Sequence, residues 1–374
     1  MNFKSGTYIE HGGYKAFQPE KVNKQYHFDE PELLPLLEQA NIKLGELNAY
    51  SELVPDVEHF IRLHIVKEAT VSSRIEGTQT NMEEALLQED EINPEKKNDW
   101  HEVNNYIAAM NKSIEELNTI PLSTRLLKNA HRVLLEEVRG ENKLPGEFRR
   151  SQNWIGGATL RDAGFIPPIW QEVNPLMGDL ENFMHSPNTS LPHVIKIALA
   201  HYQFETIHPF LDGNGRIGRL MITLYFIHAG IMKKPVLYLS DFFERNRHLY
   251  YDNLTAVRTK NDIKTWLRFF LVGIIETAEK AIQGLKNILL LKKDCETQRI
   301  SQLGKKMHSA QLLLNHLFIN PVIRPHEVAE HTGLSLVSSY KLIEDFEKLK
   351  ILREISGGER NRIYLFDEYF KVFN

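Results

Sequence analysis

Apolar side chains recur at every third or fourth position along most of this 374-residue chain, so it must fold chiefly as amphipathic helices packed on one another. Leu44, Leu47 and Tyr50, then Val57, Phe60, Ile61 and His64 set the spacing within a helical stretch from about Glu30 to Asn118. Residues 89–100, with Pro94 among charges, read as a loop before a helix over 101–117. Ser123 is placed to cap a helix reaching Glu137, followed by a loop over 140–146. Helical spacing returns over 173–184, 192–206, 216–228 and 265–291. Between 148 and 170 it lapses: Gly156 and Gly157 separate short apolar stretches and Phe165-Ile166 runs into Pro167-Pro168, which predicts a small β-hairpin flap.

A chain of this length suits two or three domains. The polar run 292–302 reads as a linker, and a softer boundary falls near residue 100. The division is then an N-terminal helical region over 1–100, a helical core over 101–291 and a small domain over 303–374. In that last domain the spacing predicts helices over 311–318, 325–331 and 335–349, with Thr332-Gly333 as the turn between the last two. Residues 351–355 and 362–366 flank Ser356-Gly357-Gly358-Glu359 as a two-stranded ribbon. Three helices and a ribbon predict a winged helix-turn-helix.

The balance of 45 basic and 49 acidic side chains, −4 overall, excludes nucleic-acid binding by bulk charge and a polybasic membrane surface. The single cysteine, Cys295, cannot close an internal disulfide, and the apolar runs fall short of a membrane span; a cytoplasmic setting is expected. No G-x-x-x-x-G-K-[ST] loop, H-E-x-x-H helix, G-x-S-x-G elbow or paired C-x-x-C occurs, so Walker-type, zinc and acyl-enzyme chemistry have no support.

The chemistry concentrates in His208-Pro209-Phe210-Leu211-Asp212-Gly213-Asn214-Gly215-Arg216-Ile217-Gly218-Arg219. Pro209 biases His208 away from helical angles, which leaves its imidazole on a loop. Gly213 and Gly215 allow a sharp turn with inward amides, and the helix that begins at about Arg216 presents a dipole that attracts anions. Arg216 and Arg219, three apart, share a helical face and suit a polyphosphate. Asp212 would repel that phosphate unless magnesium, held by one carboxylate and phosphate oxygens, stood between them. His208 titrates near neutrality and suits a general base. Each part alone is ordinary packing or solvated surface; the combination is not.

This stretch resembles the Fic family signature, H-x-F-x-[DE]-G-N-G-R-x-x-R, at every specified position. The resemblance implies a Fic (Fido) helical bundle and transfer of AMP from ATP to a hydroxyl of a target protein or of the chain itself, with pyrophosphate leaving. It implies His208 as the base, Asp212 as the magnesium ligand, and Gly213, Asn214 and Gly215 around the phosphates. Arg216 and Arg219 would hold the β and γ groups, with Phe210 anchoring the loop in the core. Ser72-Ser73-Arg74-Ile75-Glu76-Gly77 resembles the family's inhibitory pattern, [ST]-x-x-x-E-[GN]. Gly77 is a good helix terminator, so Glu76 falls in the last turn and needs a cationic partner. By resemblance that partner is Arg219, Ser72 belongs to the same pattern, and autoinhibition is the resting state.

The resemblance further implies that Ile155, Gly156, Gly157 and Ala158 form the edge on which an extended target segment docks. Tyr250 and Tyr251 stand where relatives place tyrosines beside adenine, and one of them would touch nucleotide. It also implies a homodimer. Removal of AMP, or transfer of another phosphate-containing group, would use the same pocket. A different reading is a nucleotide-responsive DNA-binding regulator. Ser338, Ser339, Tyr340, Lys341, Arg360 and Arg362 could approach DNA, but Glu344, Asp345 and Glu347 on the recognition helix make a poor electrostatic footprint, and a protein contact fits better.

Overall fold

The computed structural model describes residues 1–53, 57–187, 190–358 and 361–373. It opens with an antiparallel hairpin, β1 (Gly6–His11) and β2 (Tyr14–Pro19), turned at Gly12-Gly13. Helices follow: α1 (Leu34–Leu53), α2 (Val57–Ile75), α3 (Lys97–Glu116), α4 (Thr124–Leu134), α5 (Trp170–His185), α6 (His193–Ile207) and α7 (Asn214–His228). Then come α8 (Ser240–Arg245), α9 (Arg247–Lys260) and α10 (Ile263–Asp294). The opening hairpin, α8 and α9 are additions to what helical spacing announced. Ser123 caps α4 as expected, its hydroxyl accepting the Leu126 N–H at 3.4 Å.

The site lies between the two most buried helices. Every residue of α6 from Val194 to Ile207 is buried, and α7 is buried at Asn214 and from Arg216 to Phe226. A helix apolar on all sides belongs at the centre of a bundle. α5 and α10 cover α6, while α2, α3 and α4 pack on α7. The loop 208–213 is thereby suspended between two rigid rods, with α2 and α3 closing over it.

The flap is slighter than the expected hairpin. Ile155 and Phe165 exchange both backbone bonds, at 2.8 and 3.0 Å, as an isolated bridge. The intervening turn is held by Asp162, whose carboxylate accepts the N–H groups of Ala158 and Thr159 at 2.8 and 2.7 Å. Gly156 and Gly157 have φ of 69° and 77°, which favours glycine. The opening hairpin supports this segment: the Phe17 N–H donates to the Ile166 carbonyl at 2.9 Å.

The polar run 292–302, expected to be a linker, is helical. α10 extends to Asp294, and wide turns over Cys295–Arg299 lead into tight turns over Ile300–Lys306. Its polarity marks a solvated helix: Arg299 pairs with Asp294 and with Glu368, each at 2.7 Å. Beyond it are α11 (Met307–Ile319), β3 (Val322–Ile323), α12 (Pro325–Thr332), α13 (Leu336–Lys348), β4 (Arg353–Glu354), β5 (Tyr364–Leu365) and α14 (Asp367–Lys371). The three strands form an antiparallel sheet in the order β3-β5-β4. Gly333, with φ of 70°, ends α12 and Ser335 caps α13. Glu359 and Arg360 of the ribbon turn lie outside the described residues. The end of the chain returns to the body, where Phe373 meets Phe60 and His64 of α2 at ring separations of 5.4 and 5.1 Å. Among the described residues no helix is long and apolar enough to cross a membrane.

Candidate active site

α6 stops where Pro209 forbids another turn. His208 adopts φ 49° and ψ 62°, and its N–H still donates to the Phe204 carbonyl at 2.9 Å. Five residues on, Gly213 takes φ 72° and opens α7. Gly215 serves differently from the expected turn: it lies within α7, and a Cβ there would stand 2.2 Å from Glu76 Oε1. Its bare Cα makes room for an anion.

The loop is braced from several sides. Phe210 is fully buried and stacks on His131, with centroids 3.8 Å apart and planes 9° apart. The Gly146 N–H donates to His131 Nδ1 at 2.9 Å, which leaves Nε2–H to donate to the Asp212 carbonyl at 3.0 Å. Asn214 corrects the expectation for its side chain: Oδ1 accepts the Phe210 N–H at 2.8 Å and Nδ2 donates to the Phe210 carbonyl at 2.9 Å. Both ends of the amide brace the loop, and only the backbone at the start of α7 is left for an anion.

Arg149 and Asn153, which motif reading passed over, hold the carbonyls around His208. Arg149 Nε donates to the His208 carbonyl at 3.0 Å and Nη2 to Pro168 at 2.5 Å, while Asn153 Nδ2 reaches the Phe210 carbonyl at 2.9 Å. Burial, reinforced by the Arg149 charge, lowers the His208 pKa to about 4, so the ring is neutral at physiological pH. Its Nδ1 is buried with no partner among the described residues.

Two cations face the loop. Arg219 Nη2 lies 2.7 Å from Glu76 Oε1 and also donates to the Ser72 carbonyl at 2.9 Å, while Nε donates to the Ser72 hydroxyl at 2.8 Å. Glu76 follows the last residue of α2, and Gly77, with φ of 105°, turns the chain away as expected. Burial works against ionisation of Glu76, but the adjacent Arg219 guanidinium outweighs it and holds the carboxyl below its usual range. Arg216 is 4% exposed, 3.3 Å from Glu102 on α3 and 3.7 Å from Asp212. Glu102 accepts from Thr78 and Arg139 as well. Glu205, also unremarked in the motif, is 8% exposed with Oε1 unpartnered, and burial pushes its pKa up to about 7.

Tyr250 and Tyr251 divide sharply. Tyr250 is 1% exposed, stacks on Phe243 at 4.6 Å and donates its hydroxyl to His201 Nε2 at 2.9 Å, so the core claims it. Tyr251 is 39% exposed and keeps its ring available. Ile155 is half-buried while Gly156, Gly157 and Ala158 are exposed. Asp212 keeps a 42% exposed carboxylate, with Oδ1 accepting the Gly213 N–H at 2.6 Å. No group of three or more His, Cys, Asp or Glu among the described residues could hold a metal unaided.

Fold and site together define a helical domain with a histidine-bearing loop between its two central helices, and a carboxylate just past the end of α2 paired with an arginine of α7. The chain belongs to the Fic/DOC family: the family's N-terminal model matches residues 34–115 and its main model residues 121–226, together half of the chain. The crystal structure of a Fic family protein from Desulfovibrio desulfuricans G20 superposes with a TM-score of 0.59 at 18% identity, covering 92% of this chain and 98% of that one. A Fic domain containing signaling protein from Bacteroides thetaiotaomicron gives 0.54 at 20% identity, covering 67% and 97%. These likenesses establish the fold. Protein adenylyltransferase Fic of Aedes aegypti is 38% identical over 125 residues, and that of Drosophila yakuba is 30% identical over 184. They align with 33% and 48% of this chain, which spans 22% and 33% of their length.

Proposed function

We propose that the chain is a protein adenylyltransferase that moves AMP from ATP to a serine, threonine or tyrosine hydroxyl of a target protein, or of itself, and that Glu76 restrains it. The observation that carries this reading is a neutral, loop-borne His208 facing the same space as Arg216 and Arg219, with Glu76 occupying the partner position of Arg219. His208 takes the proton from the incoming hydroxyl, whose oxygen bonds to the α-phosphorus as the bond to pyrophosphate breaks. The start of α7 and the two arginines neutralise the charge that gathers on the leaving group. Magnesium, held by Asp212 together with phosphate oxygens, would add charge neutralisation there. Tyr251 offers a ring to the adenine, and the exposed edge at Gly156 to Ala158 receives the target segment.

While Glu76 holds Arg219, the terminal phosphates lack one of their two cations and ATP settles unproductively. The test incubates purified protein with magnesium and ATP labelled at the α-phosphate, comparing the parent with His208→Ala and Glu76→Gly. Label should enter protein most strongly with Glu76→Gly and vanish with His208→Ala. Equal labelling in His208→Ala would remove this histidine from the mechanism. Among the described ribbon residues Arg353 pairs with Asp367 at 2.9 Å and Arg362 lies 3.8 Å from Glu354, which lends the DNA-regulator reading no support.

A further inference from the structure

Away from the loop, a cavity of about 420 Å³ opens between α2, α8, α10 and the chain end at Val372-Phe373. α2 turns His64, Lys67, Glu68 and Val71 into it, residues three and four apart on one helical face. One wall is aromatic. The His64 ring lies 5.9 Å from that of Tyr238 with planes 23° apart, and Phe373 stands edge-on to it at 5.1 Å. Tyr238 is 6% exposed, and its hydroxyl has no partner among the described residues.

The opposite wall is cationic. Asp241 is shared by Lys280 at 2.9 Å and Arg245 at 3.3 Å, and Glu276 adds a longer contact to Arg245 at 3.6 Å. Lys67, in the same cavity, has no ion pair among the described residues, and burial lowers its pKa. Glu68 is turned away from this lysine, its carboxylate accepting the Ser240 hydroxyl at 2.5 Å, the Tyr106 hydroxyl at 3.2 Å and the Ser240 N–H at 3.3 Å. The cavity thus gathers three cationic side chains around the single carboxylate of Asp241, with an orphaned hydroxyl and an aromatic wall.

We propose that this cavity binds a small phosphorylated molecule with a planar ring, its phosphate against Lys67, Arg245 and Lys280 and its ring against His64 and Tyr238, and that occupancy loosens Glu76 from Arg219. The route is short. Glu68 and Ser72 are four apart on one edge of α2, and Glu76 follows at the same spacing, one residue past the helix end. Glu68 borders the cavity, while Ser72 and Glu76 grip Arg219. A ligand that displaces Glu68 from Ser240 moves the same edge that carries the latch. This second half rests on the adenylyltransferase reading; the binding half does not.

The test uses the full chain with phenyl phosphate as probe, followed by titration calorimetry and by labelling from α-labelled ATP. Saturable binding is expected in the parent, persisting under saturating ATP and falling about tenfold in Lys67→Ala and in Lys280→Ala, the change that one lost charge-assisted contact produces. Absence of saturable binding, competition by ATP, or full affinity in both variants would each overturn the site. Labelling by the parent should rise with phenyl phosphate and stay flat in Lys67→Ala. If Glu76→Gly labels protein but the probe never stimulates the parent, release of the latch is overturned. If the probe binds as expected but Glu76→Gly labels nothing, the site stands and the catalytic reading falls.

Discussion

Glu76 Oε1 meets Arg219 Nη2 at 2.7 Å beside the bare Cα of Gly215, in the space where any β-carbon on residue 215 would intrude. A carboxylate more than a hundred residues upstream is thus paired with α7 at its start. Arg219 is buried and the Glu76 side chain is 34% exposed, so water reaches this pair from the carboxylate side alone.

Removing that carboxylate should unlock the site. Charge-assisted hydrogen bonds of this kind contribute about 1.5–3 kcal/mol, so Glu76→Gly should raise the rate of α-label transfer by roughly ten- to a hundredfold. Thermal stability should change little. No increase over the parent would show that the pair does not restrain transfer.

Asn214 supplies a sharper test of what its amide does. Asn214→Ala leaves the Phe210 N–H buried without its acceptor, at a cost of about 1–3 kcal/mol, while Asn153 still serves the Phe210 carbonyl. The variant should melt several degrees lower even without nucleotide. An unchanged melting temperature with weakened ATP binding would make Asn214 a phosphate ligand instead.

Arg149 positions His208 through carbonyls, and a lysine cannot reproduce its fork. In Arg149→Lys, kcat should fall more than tenfold while the affinity for ATP holds, because the arginine braces the base and not the phosphate site. A change confined to KM for ATP would contradict this division.

Acid should weaken the fold above the usual carboxylate range. Burial lowers His131 to about 4 and His201 to about 3, from about 6.5 in an unfolded chain, and both are fully buried. The unfolded chain then binds more protons, so their contribution is complete above pH 6.5 and is lost as pH falls towards 4. Glu205, raised to about 7, works in the opposite direction across this interval. With His64 lowered to about 3 and His208 to about 4 in the same way, the buried histidines outweigh the one glutamate, and stability falls between pH 6.5 and 5. Denaturant unfolding at the two pH values measures it, and equal stability would refute it.

Much of the site could be read from the chain because it is contiguous: loop and helix start occupy twelve consecutive residues, and Ser72 and Glu76 are one helical turn apart. What escaped notice acts through backbone or over long range. Arg149 and Asn153 work by holding carbonyls, which no side-chain pattern announces, and Glu102 meets Arg216 across 114 positions. The Tyr250 and Tyr251 pair could not be split by sequence, since burial chose between them. The opening hairpin did carry a signal, a Gly12-Gly13 turn between β-prone stretches, obscured by the charged residues around it. The run 292–302 misled because a solvated helix and a linker share a composition.

The bond from the Phe17 N–H to the Ile166 carbonyl ties the first nineteen residues to the flap. Versions trimmed of that ribbon would leave the outer backbone of this segment bare and prone to recruit whatever strand came near. On the proposed reading, activity measured on such shortened proteins would describe a less discriminating flap.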